Sequence, residues 1–280
     1  MIPAPFEYHL AESVEDAIAA LADGGEDAKL LAGGHSLLPL MKLRLAAPTK
    51  LVDISRLDEL RGIEVNGGLR IGGGTRHAEL QVRDDIGVVA HAASLIADQQ
   101  VRNRGTIGGS IAHADPASDL PTVLLAADGS VEAQGGSGSR TIAAADIFVD
   151  YLTTSLSEDE VITAVTMPSM EGWDFGYEKF TRRSEDWAMV GVCALVKKGS
   201  DGSCEDVRIG LTHMGSTPLR ASTTEDALRG GALDAESIAA AAEQAADGTD
   251  PPGDLNATPD YKRHLARTLV KRALEQAAGI

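Results

Sequence analysis

Cysteine, lysine and aromatic residues are scarce in this chain, and each scarcity closes off a class of protein. Two cysteines in 280 residues, Cys193 and Cys204, cannot build a disulfide framework or supply a four-thiolate zinc or iron–sulfur site. Lysine occurs 8 times and arginine 17 times against 24 aspartates and 18 glutamates, a net charge of −17. Nucleic acid and anionic membrane surfaces both need a basic face, so neither is an expected partner. No apolar run approaches the ~20 residues that cross a bilayer. The start, MIPAPFEYHLAESVEDA, lacks a basic stretch followed by an apolar one, so no secretory signal and no transmembrane segment is expected, and the expected location is cytoplasmic. The seven histidines are scattered with no paired spacing, and neither a P-loop, a G-x-G-x-x-G fingerprint nor a G-x-S-x-G elbow occurs. Metal-based hydrolysis, NTP binding, ordinary Rossmann binding and serine hydrolysis all recede.

What is present is a 43% hydrophobic chain, enough for a packed core. Its length predicts two compact units at ~100–200 residues each. The excess acid reads either as a solvated surface or as adaptation to high salt, where screening relieves carboxylate repulsion.

Apolar spacing and turn residues outline the elements. Ser13-Val14-Glu15-Asp16 reads as a helix N-terminus, with Val14, Ala17, Ile18 and Leu21 on one face and Gly24-Gly25 ending it. A short strand Ala28–Leu31 runs into Ala32-Gly33-Gly34-His35-Ser36, then a helix over 37–45 and a strand over 51–54. Asn66-Gly67 predicts a hairpin between 62–65 and 69–71. Residues 86–98 have helical spacing, and Thr106-Ile107-Gly108-Gly109-Ser110 forms a second glycine loop before a helix over 120–127. Strands are predicted at 130–134 and 160–167, with a flexible tip at 135–139. The interrupted stretch 168–174 marks a domain boundary. Strands at 188–196 and 206–213 follow, then helices at 223–228, at 234–246 and from Pro259 onward.

The chemistry-bearing candidates are few. Glycine loops let backbone N–H groups approach an anion closely, and two of them can clamp a dinucleotide diphosphate from opposite sides; either loop alone is equally a tight turn. His35 reads as a loop histidine bonded to nearby backbone, as a catalyst or as a flavin attachment point. Lys179, Arg182 and Arg183 form a cationic cluster that is either a solvated strand end or a patch aimed at an anionic cofactor.

Taken in order, PAPFEYH at 3–9, LLAGGHSLLPLMKLRLAAPTKLVDI at 30–54, RGTIGGSIAHADPASDLP at 104–121 and EKFTRRSEDWAMVGV at 178–192 resemble the FAD-binding medium subunit of molybdenum hydroxylases, of the aerobic carbon monoxide dehydrogenase and xanthine dehydrogenase type. The resemblance covers nearly the whole chain. It implies an α+β protein: an FAD-binding fold of the p-cresol methylhydroxylase type, with two α/β subdomains, over residues 1–172. A smaller α+β domain, an antiparallel sheet plus helices, would occupy 173–280.

It also implies roles. Ala32, Gly33, Gly34, His35, Ser36 and Leu37 would form the first diphosphate loop, mainly through backbone amides. Thr106, Gly108, Gly109 and Ser110 would form the second. Ala97 and Val101 would bracket the cofactor, Asp119 would hold its ribose or adenylate side, and Ile162 and Lys179 would lie near the isoalloxazine. FAD would be non-covalent, since the longer oxidases in which GGHS carries a covalent flavin add a substrate domain for which this chain has no room. No catalytic residue and no metal ligand are expected here. A molybdenum cofactor on a large subunit and [2Fe-2S] clusters on a small one would feed electrons to this chain for an external acceptor, the complex being a dimer of heterotrimers. A self-contained FAD-dependent oxidase or reductase, and a docking subunit without flavin, are the alternatives.

Overall fold

The computed structural model describes residues 2–280. The first layer is a three-stranded parallel sheet in which Lys50–Asp53 lies between Glu7–Leu10 and Ala28–Leu31. Helix Val14–Gly24 connects the first two of these in sequence. Ser13 caps it by accepting from the Asp16 amide at 3.1 Å, and Val14, Ala17, Ile18, Ala20 and Leu21 are buried on its inner side. The hydroxyl satisfies one of the N–H groups that a helix start leaves unpaired.

A five-stranded antiparallel sheet follows, in the order Ile63–Val65, Gly68–Gly72, Val161–Pro168, Ser130–Gly135, Gly138–Ala143. The Asn66-Gly67 turn and the tip at 136–137 close its two hairpins as expected. Helices Val88–Ser94, Ile107–His113 and Asp119–Ala126 pack beside it. The third sheet is antiparallel, Trp173–Phe180, Val190–Lys198, Cys204–Thr212 and Leu219–Arg220, and carries helices Ser222–Leu228, Ala235–Ala242 and Pro259–Ala278. The last helix starts at the Thr258 cap with Pro259 in its first turn. It buries Leu265, Ala266, Leu269, Val270, Ala273, Leu274 and Ala277, the 3.6-residue stripe of a helix lying on a sheet.

Two expectations need correcting. The helix expected over 86–98 ends at Ser94, because the carbonyls just beyond it are taken by side chains: Arg102 Nη1 donates to Ile96 O at 2.8 Å and Ala97 O at 2.7 Å, and Lys179 Nζ donates to Leu95 O at 2.9 Å. Ala97 sits there at φ 42°, a left-handed conformation that costs a non-glycine residue roughly 1–2 kcal/mol. The sequence marks a boundary at 168–174 and only a strand end near Lys179, whereas a full strand runs Trp173–Phe180, its Trp173, Phe175 and Tyr177 alternating with Asp174, Gly176 and Glu178. The odd residues face the core of the preceding helices. On the other side Gly176 lets the helix Pro259–Ala278 approach so closely that a Cβ would strike the Ala273 carbonyl.

Helix Asp119–Ala126 is buried along its whole length. It rests on Cys204–Thr212, where a Cβ on Gly210 would lie 2.8 Å from the Thr122 carbonyl oxygen, and Thr212 Oγ1 donates to Thr122 Oγ1 at 2.7 Å. Asp119, the first residue of the helix, is held to Trp173–Phe180 by its side-chain bonds with Tyr177 and Lys179.

Candidate functional site

A cleft of about 640 Å³ runs between the parallel sheet, the five-stranded sheet and the end of Trp173–Phe180. Its floor is largely backbone, brought together by glycines. A Cβ on Gly73 would strike the Ile162 carbonyl, and one on Gly108 would lie 2.7 Å from the Gly73 oxygen. A Cβ on Gly33 would strike the Arg104 carbonyl and come within 2.9 Å of Gly105 Cα. The floor therefore passes from the sheet through Gly73 to the second loop, and from there to the first, with no side chain between layers.

The two glycine loops differ in their hydrogen bonds. The first follows Ala28–Leu31 and leads into helix Leu37–Leu43. Among the described residues no protein acceptor meets the N–H groups of Ala32, Gly33, Gly34, His35, Ser36 or Leu37. Six successive donors beside a cleft make an anion receptor that needs no cation. Gly34 has φ 77°, the left-handed turn that aligns such a loop and that a side chain would strain.

In the second loop the amides are occupied. Ile107 N–H donates to Thr75 O at 3.0 Å, Gly108 to Gly73 O at 2.9 Å, Gly109 to Thr106 Oγ1 at 3.1 Å and Ser110 to Thr106 O at 3.0 Å. The segment before it is the short helix Gln99–Arg102, and Ile107 to Ser110, read from the sequence as a glycine loop, form the first turn of helix Ile107–His113. Its glycines serve close approach to the neighbouring backbone.

Lys179 enters from the third sheet. It is 6% exposed and donates to Asp119 Oδ2 at 2.8 Å, while the Tyr177 hydroxyl donates to Asp119 Oδ1 at 2.7 Å. Burial pushes the Asp119 carboxyl above the usual carboxylate range against the pull of Lys179 and Tyr177. Burial, reinforced by Asp119, pushes the tyrosine hydroxyl far above its own, so it remains a donor. Both oxygens of Asp119 thus already hold protein donors, and the Lys179 charge is matched within the protein. Arg182 and Arg183 are exposed and do not line the cleft. The cationic patch drawn from the sequence therefore reduces to one buried, paired lysine.

Every residue to which the resemblance gave a role at the cofactor lines this one cleft: Ala32 to Leu37, Ala97, Val101, Thr106, Gly108, Gly109, Ser110, Asp119, Ile162 and Lys179. Ile162 sits at a bulge in Val161–Pro168, which bends that strand where Gly73 crosses it. His35 is exposed at the cleft wall. Sequence reasoning missed Gly73, Gly105, His77, Tyr177 and Arg102. Tyr177 was within reach, two residues before Lys179 on the same strand face. The others are set by contacts between segments far apart in the chain, which no local pattern reports.

Sheet layers meeting over a backbone-floored cleft with a row of free amides define a cofactor-binding protein. Residues 4–170 match the family described as the FAD binding domain in molybdopterin dehydrogenase, and residues 175–277 match the CO dehydrogenase flavoprotein C-terminal domain. The chain belongs to this family, the FAD-binding medium subunits of molybdenum hydroxylase complexes, which are oxidoreductases. It is 44% identical to the carbon monoxide dehydrogenase medium chain of Hydrogenophaga pseudoflava, over 99% of this chain and 98% of that one. It is 40% identical to the 6-hydroxypseudooxynicotine dehydrogenase complex subunit alpha of Paenarthrobacter nicotinovorans, over 99% and 96%. Among solved structures, a carbon monoxide dehydrogenase from Hydrogenophaga pseudoflava that lacks the Mo-pyranopterin moiety of its molybdenum cofactor matches with a TM-score of 0.96 at 44% identity, covering 100% of this chain and 99% of that one. The expected α+β class is the observed one, an FAD-binding domain followed by a C-terminal flavoprotein domain.

Proposed function

We propose that this chain holds a non-covalent FAD in the cleft and relays electrons within a heteromeric molybdenum hydroxylase. It would receive them from [2Fe-2S] clusters on a small subunit and pass them to an external acceptor, substrate being oxidised at a molybdenum cofactor on a large subunit. The observation that carries this reading is the first loop: six acceptorless amides suit a diphosphate, and glycine at 33 and 34 admits it without a side chain in the way. The residues fit the cofactor. FAD supplies, when bound, one- and two-electron chemistry that no side chain in the cleft can supply.

The protein's part is binding, orientation and electrostatics. The amides of Ala32 to Leu37 would hold the diphosphate, with Thr106, Gly108, Gly109 and Ser110 forming the facing wall. Lys179 and Ile162 would lie beside the isoalloxazine, and Ala97 and Val101 would bracket the cofactor. Asp119 would hold its ribose or adenylate side, from a carboxylate already bonded to Lys179 and Tyr177. Among the described residues no group of three or more His, Cys, Asp or Glu could hold a metal, and the buried thiols Cys193 and Cys204 are pushed up to about 12 and about 11 by burial. Such thiols are poor ligands, which supports placing the clusters on a partner.

The proposed division falls at 172/173. The proposed assembly is a dimer of heterotrimers in the cytoplasm, a reducing compartment that suits two free cysteines; no helix among the described residues is long and apolar enough to cross a membrane. Purification decides the matter. A yellow chain that releases FAD in acid and co-elutes with a large and a small subunit is the expected result. Substrate turnover by the chain alone, or a colourless chain that FAD cannot reconstitute, would overturn it.

A further inference from the structure

Among the described residues, one buried polar side chain at the cleft has no hydrogen-bond partner. His77 is the first residue of helix His77–Leu80 and is 5% exposed. Its backbone N–H donates to Gly105 O at 3.0 Å, and the Cδ2–Nε2 edge of its ring faces that glycine, where a Cβ would sit 2.7 Å from Cδ2 and 2.9 Å from Nε2. On its other side Gly105 meets Gly33 of the first loop. The imidazole therefore stands beside the junction of the two glycine loops and lines the same cleft.

Its two nitrogens are not equivalent. Nδ1 is sealed from solvent and makes no hydrogen bond. Nε2 makes none either, but it is not sealed, and His77 lines the cleft. A proton on Nδ1 would be a buried donor without an acceptor, so the Nε2–H tautomer is favoured and presents a donor to the cleft. Burial, with Arg102 and His35 nearby, pushes the ring's pKa down to about 4. At neutral pH the donor carries no charge.

We infer that His77, through Nε2–H, is a further binding residue for the dinucleotide, donating to an oxygen of its diphosphate where the two loops meet. This rests on the reading of the cleft as an FAD site. It adds a side-chain donor to a site whose other diphosphate contacts are backbone. Arg102, the charged neighbour of the ring, lies outside the cleft lining and would favour an anion there without touching it, while His35 belongs to the first loop itself.

The test uses the full chain stripped of flavin. FAD binding is followed by flavin fluorescence, ADP binding by calorimetry, and the bound diphosphate by its phosphorus resonances. Two variants are compared: His77→Gln, whose amide nitrogen reaches the Nε2 position, and His77→Asn, whose amide nitrogen reaches only the Nδ1 position. His77→Asn should weaken both FAD and ADP by about tenfold, the usual scale for a hydrogen bond to a charged group, and shift the phosphorus resonances. His77→Gln should stay within about threefold of wild type. Wild-type affinity and resonances in His77→Asn would overturn the inference, as would a His77→Gln variant as weak as His77→Asn, which would mark a packing role. A wild-type chain that takes up no FAD or ADP would overturn the reading of the cleft itself, and this inference with it.

Discussion

Ala32-Gly33-Gly34-His35-Ser36 and Thr106-Ile107-Gly108-Gly109-Ser110 look interchangeable as sequences: a paired glycine, a following serine, an apolar helix beyond. In the structure they do opposite things with the same residue. Among the described residues the first leaves six successive amides without a protein acceptor, while the second has the four amides of Ile107 to Ser110 hydrogen-bonded within the protein. In the first loop glycine provides a turn, with φ 77° at Gly34. In the second it provides thinness, so that Gly108 can lie on Gly73. A glycine pair therefore marks close approach of backbone; only the hydrogen-bond ledger says whether what approaches is a ligand or another strand. In a chain of net charge −17, neutral amide donors also let an anionic cofactor bind with no cation beyond Lys179, itself already paired with Asp119.

The comparison breaks most severely if Lys179, and not the first loop, carries the anion. Lys179 and Asp119 are 6% and 4% exposed. Removing one partner of such a pair strands the other charge, which costs about 3–5 kcal/mol, whereas replacing both is close to neutral. Lys179→Met should therefore lower chemical-denaturation stability by that amount in the flavin-free chain, with Lys179→Met/Asp119→Leu recovering most of it. A Lys179→Met variant of wild-type stability that no longer takes up FAD would shift the weight of anion binding from amides to the cation.

The pair also shows where sequence reading stops. The loops, the sheet strands 28–31, 50–53, 130–135 and 161–168, and the final helix follow local signals, namely runs of β-branched and apolar residues, Asn-Gly, and Thr258-Pro259. The two glycine loops were legible as short local motifs and Lys179 as one of a cationic cluster, whereas Ala97, Val101, Asp119 and Ile162 came only from the family resemblance. What each does was not legible. Whether the Gly109 amide is free depends on the Thr106 hydroxyl three residues away. Whether Lys179 is free depends on Asp119, sixty positions earlier in the chain. His77 becomes a site residue only because Gly105 folds onto it. Partner choice across the chain is a property of packing, and periodicity carries no record of it.

Substituting alanine into each loop separates their roles. In Gly33→Ala the new methyl meets Arg104 and Gly105 backbone, at 2.8 Å from Arg104 C and 2.9 Å from Gly105 Cα. The loops must part, misplacing the free amides, so FAD affinity should fall by about a hundredfold, equivalent to roughly 2.7 kcal/mol. Gly108→Ala forces the second loop off Gly73, an overpacking cost of about 2 kcal/mol. It should appear as lost stability in the flavin-free chain, with a smaller change in affinity than Gly33→Ala produces. Titrating both variants with FAD and melting both without it gives the crossed result; if the two changed stability and affinity in the same proportion, the division of labour would be wrong.

His77, beside the junction, sharpens the same point through pH. Its folded pKa is pushed down to about 4 from 6.5, so between those values the unfolded chain binds the proton and the folded chain does not. The stability this group contributes is present above 6.5 and is lost as pH falls toward 4. From pH 6.5 to 5 wild type should lose about 1.5 kcal/mol more than His77→Gln, which cannot titrate. Parallel curves from urea denaturation at the two pH values would mean that the ring takes up a proton when folded, and a charged His77 would then belong with the cations and not with the neutral donors.

The smallest change tests the contrast most directly. Thr106 Oγ1 accepts from the Gly109 amide at 3.1 Å and caps helix Ile107–His113. Thr106→Ala should cost about 1 kcal/mol of stability, as other lost caps do. It also frees one amide in the loop that otherwise has none to spare between Ile107 and Ser110. If the second loop is a wall, FAD affinity in Thr106→Ala stays within about twofold of wild type or rises, because a freed donor beside an anion can only help it. If the hydroxyl itself had been gripping the diphosphate, affinity would fall by the about tenfold expected for a charge-assisted hydrogen bond. Flavin fluorescence titration distinguishes a rise from a tenfold fall, and so reports whether the second loop confines the cofactor or holds it.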